Sequence, residues 1–227
     1  MDRITAYTTH RPDVCLLVPN RARFILDLGC SDGSLGEALK SAQAEREVCG
    51  VEFSEDLANR ASVKLNQVIV ADLNDASCLN VFSHRKFDCI IAADILEHLL
   101  NPINLLKQLH PLLADDAVLI VSLPNIRHHS AFYSIFVQGT FPRRNRGLFD
   151  DTHLHWFTLR DSRNLLQSAG YALDHVHSTL RVGDKGGGRL NKLVSRLLNP
   201  ISGFTPIREF MTYQYVLRAR PVPQARA

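Results

Sequence analysis

The stretch "ILDLGCSDGSLGEALK", residues 25–40, decides the fold. An apolar run of strand character ends at Leu28, a turn carrying Gly29 and Gly33 follows, and Ser34 opens a segment with helical spacing. A strand, a glycine-bearing turn and a helix in that order make the first unit of a doubly wound sheet, whose first turn is the usual ligand cradle. Gly29 and Gly33 let a ligand approach the backbone closely. The helix that follows offers free N–H groups and the positive end of its dipole.

Working outward, short apolar runs alternate with helical patterns: "RFILDL" (23–28), "EVCGVE" (47–52), "QVIVAD" (67–72), "FDCIIAA" (87–93) and "AVLIVSL" (117–123), with helices expected at 34–43, 54–61 and 102–113. Strands of near-continuous apolar character separated by helices indicate a parallel sheet covered on both faces. The fold class is therefore α/β, doubly wound. Beyond residue 123 the pattern changes: 124–157 is insertion-like, rich in aromatics and histidines, and a helix at 159–169 is expected to stop at Gly170. "YALDHVHS" (171–178) and "FMTYQYVLRAR" (210–220) read as two more strands, which brings the sheet to seven. A second insertion, 181–209, separates them. Within it Leu190, Leu193, Val194, Leu197 and Leu198 form the apolar stripe of an amphipathic helix, which either docks on protein or lies on an anionic lipid surface. The chain is expected to be one domain, 1–227, with an N-terminal arm at 1–22.

Composition excludes several classes. With 227 residues, 45% of them hydrophobic, the chain can bury one sizeable core. No run of about 18 apolar residues is present, and "MDRITAYTTHRPD" is too polar for an export signal, so a cytoplasmic protein without a spanning helix is expected. Five scattered cysteines without a CxxC pair argue against disulfides and structural zinc. The net charge of +3 is uneven, because residues 181–227 hold nine Lys/Arg against two acids. That basic tail would suit phosphate, an anionic lipid or a solvated surface.

Three ligands compete for the turn. A P-loop requires Gly-Lys-Ser/Thr, and here Gly33 is followed by Ser34 and Leu35. The dinucleotide pattern is only partly present, in Gly29, Gly33 and Gly36. Asp27 and Asp32 add negative charge that would repel a pyrophosphate but tolerate a cationic ammonium or sulfonium.

On these residues the sequence resembles the class I S-adenosylmethionine-dependent methyltransferases, whose first motif is an acid-x-Gly-x-Gly-x-Gly turn; Ser31 stands where the middle glycine would be. "GVEFSEDL" places Glu52, followed by Phe53, where the family's acid binds both ribose hydroxyls. "VIVADLND" places Asp72 and Leu73 at the adenine, and "FDCIIAADILEHLLNP" matches the fourth-strand motif, with Ala93 at its end. The resemblance implies a Rossmann-like, mostly parallel seven-stranded sheet with an antiparallel C-terminal strand, S-adenosyl-L-methionine as cofactor and S-adenosyl-L-homocysteine as product. Cofactor contacts are implied at Asp27, Gly29, Cys30, Gly33, Glu52, Phe53, Asp72, Leu73 and Ala93, and at Tyr7 in an arm that folds over the cofactor. Residues 124–157 and 181–209 would then lie on the substrate side. "IVSLPNIRHHSAF" and "FDDTHLHWFTLRDSRNLLQSAGY" are similar to a bacterial subgroup that includes polysaccharide- and lipopolysaccharide-associated and MetW-like proteins.

Methyl transfer is an in-line displacement, so alignment supplies much of the rate, and a hydroxyl acceptor also needs a base. Histidine is the usual base near neutral pH. Three candidates fall on the expected reactive side: His98 after the fourth strand, His128 (beside His129) after the fifth, and His153, which alternation puts on one face with His155 near Asp150 and Asp151. Surface exposure is the expectation for the tandem pair. Asp94-x-x-Glu97-His98 is also similar to the E-x-x-E-H cluster of ubiquinone-pathway O-methyltransferases, which can hold a divalent ion; with a shorter first acid, no metal is expected here. Arg143, Arg144 and Arg146 could grip a phosphate or carboxylate of an anionic acceptor, and the helix of Arg189–Leu198 could cap a lipid-linked one. The expected function is methylation of a small-molecule or glycan acceptor at oxygen, with a non-catalytic MetW-like partner protein as the alternative. Nucleic acid is not expected, since "AADI" stands where an N/D-P-P-Y/F tetrapeptide would follow the fourth strand.

Overall fold

A computed structural model describes residues 10–181 and 205–222. Seven strands form one sheet: β1 (Phe24–Leu28), β2 (Glu47–Glu52), β3 (Gln67–Val70), β4 (Phe87–Ala93), β5 (Leu113–Pro124), β6 (Tyr171–Leu180) and β7 (Thr212–Pro221). Their order is β3-β2-β1-β4-β5-β7-β6. The pairings from β3 to β5 are parallel, and β7 runs antiparallel to both β5 and β6. The doubly wound, mostly parallel sheet with an antiparallel C-terminal strand is thus present as expected.

Helices α1 (Pro12–Cys15), α2 (Ser34–Ala42), α3 (Glu55–Ser62), α4 (Pro102–Gln108), α5 (His129–Phe132), α6 (Leu159–Ser168) and α7 (Thr205–Met211) connect the strands. Their starts follow from capping chemistry. The Ser54 hydroxyl accepts the Leu57 amide to open α3, Asn101 accepts the Asn104 amide to open α4, and Thr158 and Asp161 form a reciprocal capping box on α6. Gly170, at φ +85°, stops the chain after α6, as expected of that glycine.

Side-chain alternation along the strands builds a core on each face. Leu26, Leu28, Val51, Ile90, Leu119 and Val121 pack with Leu105, Leu106, Leu165 and Leu166 on one side. Ile25, Val48, Ile91, Val118 and Ile120 pack with Val14, Leu17, Leu35, Leu39 and Leu65 on the other. This double coverage is why the strands lack polar alternation.

Several boundaries differ from the sequence reading, and three of them have a visible cause. The helix expected to reach 113 ends at Gln108 and continues as a 3-10 turn, His110–Leu112, around Pro111, whose ring nitrogen has no hydrogen to donate. β5 begins at Leu113 instead of 117, because Leu113 pairs with Phe87 across a register shift. β7 begins at Thr212, two residues late: Phe210 and Met211 finish α7, and Asn125 Nδ2 fixes the junction by donating to the Glu209 and Thr212 carbonyls, both at 2.8 Å.

Candidate active site

β1 is flanked by β2 on one side and β4 on the other, so the connections diverge at its carboxyl end. Leu28 pairs with both Val51 and Ala92, which brings Gly29, Glu52 and Ala93 to one edge of the sheet. The turn is pinned there by two bonds, the Gly29 and Cys30 amides both donating to the Val51 carbonyl at 2.8 and 3.0 Å. Gly29 and Gly33 have φ of +73° and +78°. Added carbons at these positions would lie 3.1 Å from Ile95 Cδ1 and 3.0 Å from Ala61 Cα, so glycine is required both for its backbone and for its lack of bulk. Ser31 also takes a left-handed conformation, at φ +51°. The missing middle glycine of the motif is therefore replaced by a serine held in the glycine conformation.

Two carboxylates face this turn. Glu52 Oε2 accepts the Ser31 amide at 2.8 Å and its Oε1 accepts the Ser54 amide at 2.9 Å, which fixes the carboxylate plane at the end of β2. Asp27 is 1% exposed, and its Oδ2 has no hydrogen-bond partner. Burial, with the nearby Glu52 charge adding, pushes Asp27 from 3.8 up to about 7 against a smaller opposing pull from Arg11. Asp32 behaves differently from the sequence expectation of a second free charge. Burial pushes it up, but bonds from Ser34 and Lys64 more than offset this, and Lys64 Nζ pairs with it at 3.1 Å. Its charge is spent on the helix side of the turn. Phe53 is 73% exposed beside Glu52, Leu73 is buried, and Asp72 accepts from the Asn74 backbone and side-chain amides. Burial, then Asp27 and Glu52, push the Cys30 thiol far up, so it stays protonated.

A second cluster forms after β4. The Glu97 carbonyl accepts the Leu154 and His155 amides at 2.8 and 3.1 Å, tying the insertion to the β4 loop. His98 and His153 then meet edge to face, with ring centroids 4.7 Å apart. His155 is not on a shared strand face with His153; Nε2 of its ring bonds the Leu99 carbonyl at 2.9 Å, in a segment of turns. Burial, with His98 beside it, lowers His153 to about 4, so its ring is neutral. Burial and the Asp94 charge push Glu97 well above the ordinary carboxylate range. Glu97 Oε2 and His153 Nδ1 are both buried without a hydrogen-bond partner.

Among the described residues, Glu97, His98 and His153 each bring one ligand-type atom, all within 4.8 Å of one another. Asp94 is not part of that group, contrary to the trio named from sequence. It sits at φ +55° and turns to the Arg11 guanidinium and Gln214 Nε2. Arg11 also reaches Ser122 Oγ at 2.7 Å and grips Asp13 through two bonds of 3.0 Å.

His128 departs from expectation as well. It is fully buried: its Nδ1 accepts the Ser130 amide and meets Ser130 Oγ at 2.8 Å, while its Nε2 bonds the Arg181 carbonyl at 2.9 Å. Both ring nitrogens hold the insertion together, a structural task that leaves neither for an acceptor.

A family model described as "Methyltransferase domain" matches residues 7–176. The chain belongs to this methyltransferase family, of class I. Curated relatives include the ubiquinone biosynthesis O-methyltransferase of Glaesserella parasuis serovar 5 (strain SH0165), 28% identical over 126 residues, which are 52% of this chain and 51% of that one. The protein of the same name from Haemophilus ducreyi (strain 35000HP / ATCC 700724) is 30% identical over 112 residues, 44% of this chain and 45% of that one. The chain thus spans about half the length of the curated relatives it matches. Among solved structures, an S-adenosylmethionine-dependent methyltransferase from Archaeoglobus fulgidus superposes with a TM-score of 0.63 at 17% identity, covering 96% of this chain and 94% of that one. The plantazolicin methyltransferase BpumL, solved with S-adenosylhomocysteine, gives 0.60 at 18%, covering 97% and 85%. These likenesses establish the fold.

The methyltransferase cofactor S-adenosylmethionine fits what the turn presents. An orphaned buried carboxylate at Asp27 suits an ammonium, and a diol matches the oriented Glu52 carboxylate. Tyr7 and the stripe at 190–198 lie outside the described residues. Sequence reasoning missed the Arg11–Asp94–Ser122–Gln214 cluster, and for good reason: Gln214 is 120 residues from Asp94, and nothing local marks Arg11, Ser122 or Gln214 as partners of that acid. His153 was found, though its partners Glu97 and His98 were grouped with Asp94 instead.

Proposed function

We propose that this methyltransferase moves a methyl group to an oxygen of a small-molecule or glycan acceptor. The single observation that carries the reading is the placing of Asp27, buried with its Oδ2 unpartnered, near Glu52, oriented by two amides, at the carboxyl edge of β1 and β2. S-adenosylmethionine, when bound, supplies the activated methyl group. Glu52 would take the ribose hydroxyls and Asp27 the ammonium, with Phe53, Asp72 and Leu73 toward the adenine and Gly29, Cys30, Gly33 and Ala93 forming the floor. Tyr7 and the arm 1–22 would cover the cofactor, and 124–157 and 181–209 would face the acceptor within a single domain.

An acceptor hydroxyl must lose its proton as the new C–O bond forms. We assign the proton acceptor to His98, which is half-buried on the reactive side. His153, neutral with its basicity lowered to about 4, suits the wall of the acceptor site better than the role of base. The O-methyltransferase names of the curated relatives support oxygen as the acceptor atom. Those relatives, named for ubiquinone biosynthesis, favour a small-molecule acceptor, whereas the subgroup resemblance favours a glycan. The five cysteines are all free thiols, which supports a reducing, cytoplasmic setting.

The test is calorimetric titration with S-adenosylmethionine, followed by turnover to S-adenosylhomocysteine with phenolic and sugar acceptors. Binding with turnover on a hydroxyl substrate is expected. Binding without turnover on any acceptor would favour a non-catalytic partner protein.

A further inference from the structure

Three groups outside the cofactor edge line up behind His98. Asp150 is 2% exposed, and its Oδ1 accepts two bonds from Thr152, one from the amide at 2.9 Å and one from the hydroxyl at 2.6 Å. The Thr152 hydroxyl in turn lies 3.0 Å from His98 Nδ1, and the Thr152 carbonyl lies 3.3 Å from the same nitrogen. Donor and acceptor accounting then fixes the proton. A carbonyl only accepts, and a threonine hydroxyl whose hydrogen is committed to a carboxylate has only lone pairs left to offer. Nδ1 faces two acceptors, so it must carry the hydrogen. When the ring is neutral its lone pair is therefore on Nε2.

From this geometry we infer that Asp150 and Thr152 are positioning residues, which hold His98 in the Nδ1–H form with Nε2 as its proton-accepting nitrogen. A histidine in water prefers the opposite tautomer, and a hydrogen bond to one ring nitrogen is the ordinary way a protein chooses. The spacing serves the purpose. Asp150 caps its own turn two residues on, and the same turn delivers the Thr152 hydroxyl and carbonyl together to one side of the imidazole. The 150–152 turn is tied to the His98 loop through the amides of Leu154 and His155 on the Glu97 carbonyl, so the relay is assembled by the insertion and not by the sheet. The inference rests on the assignment of His98 as the acceptor's base.

The experiment reads the ring directly by long-range proton–nitrogen correlation of the full-length protein labelled with 15N-histidine, with the His98 signals identified by their loss in His98→Gln. In the unaltered protein Nδ1 is expected at a protonated, pyrrole-like position and Nε2 at an unprotonated, pyridine-like one. Thr152→Val removes the hydroxyl and keeps the weaker 3.3 Å carbonyl contact, so a second population with Nε2–H should appear. Thr152→Ser restores the hydroxyl and should restore the single form. A proton found on Nε2 in the unaltered protein, or a Thr152→Val spectrum identical to it, overturns the inference. The readout needs no turnover. S-adenosylmethionine affinity measured on the same samples should be unchanged; absence of binding in the unaltered protein would count against the methyltransferase function and leave the tautomer result standing.

Discussion

Asp27 offers the sharpest quantitative test. Folding raises its carboxyl from 3.8 to about 7, chiefly through burial and then through Glu52. Between those two pH values the folded protein keeps a proton that the unfolded chain has released. Stability therefore falls as pH climbs from about 4 to about 7 and is level above, where both states are ionised. At 1.36 kcal/mol per pH unit, the full loss is roughly 4 kcal/mol, large against a total of about 5–15. Asp27→Asn keeps the shape and removes the ionisation. Urea unfolding of both proteins from pH 4 to 8 should show Asp27→Asn gaining on the unaltered protein across that window, to a difference of roughly 4 kcal/mol at pH 8 with the denaturant slope unchanged. The same variant should bind S-adenosylmethionine weakly and without the tightening toward pH 8 expected as Asp27 ionises opposite an ammonium. A stability difference that stays flat from pH 4 to 8 would refute the reasoning, because it would mean that Asp27 does not hold a proton in the folded state.

Glu52→Ala should weaken S-adenosylmethionine binding by about 1.5–3 kcal/mol, the usual worth of hydrogen bonds to a charged group, as read by calorimetry; unchanged affinity would remove the ribose assignment. Ser31→Gly relieves a left-handed serine costing about 1–2 kcal/mol, less about 0.5 for the looser unfolded chain, so the melting temperature should rise by roughly 2–4 °C. A fall would show that the serine side chain contributes to the turn. At Gly36 an added carbon would lie 2.3 Å from Leu65 Cδ2 and 2.9 Å from Val48 Cγ1. Gly36→Ala should therefore destabilise by about 1–2 kcal/mol despite alanine's better helix propensity, since overpacking costs about 1–3; increased stability in denaturant would contradict that packing.

Residues 25–52 show how much was legible locally. Apolar run, glycine turn and helix spacing lie within a few residues of each other, so the strand and the turn could be read from short-range pattern alone, whereas the ribose role of Glu52 was implied by the family resemblance. β2 and β4 match their sequence ranges to the residue. Boundaries failed where a distant partner decides: β5 starts at Leu113 because Phe87 is opposite it, and α7 runs to Met211 because Asn125 clamps the Glu209 and Thr212 carbonyls.

The sequence by itself determined the α/β class and the place of the glycine turn and of the acids beside it, because strand and helix periods and glycine turns are properties of neighbours along the chain. Only the tertiary structure decided the condition of those residues. Asp27 differs from Asp32 because one is buried near the Glu52 charge while the other meets Lys64. His98, His153 and Thr152 become one cluster, and His128 a buried anchor, only when the insertion folds back on the β4 loop. Basicity and protonation depend on burial and on the charges within a few ångströms, and those surroundings come from parts of the chain that lie far apart in sequence.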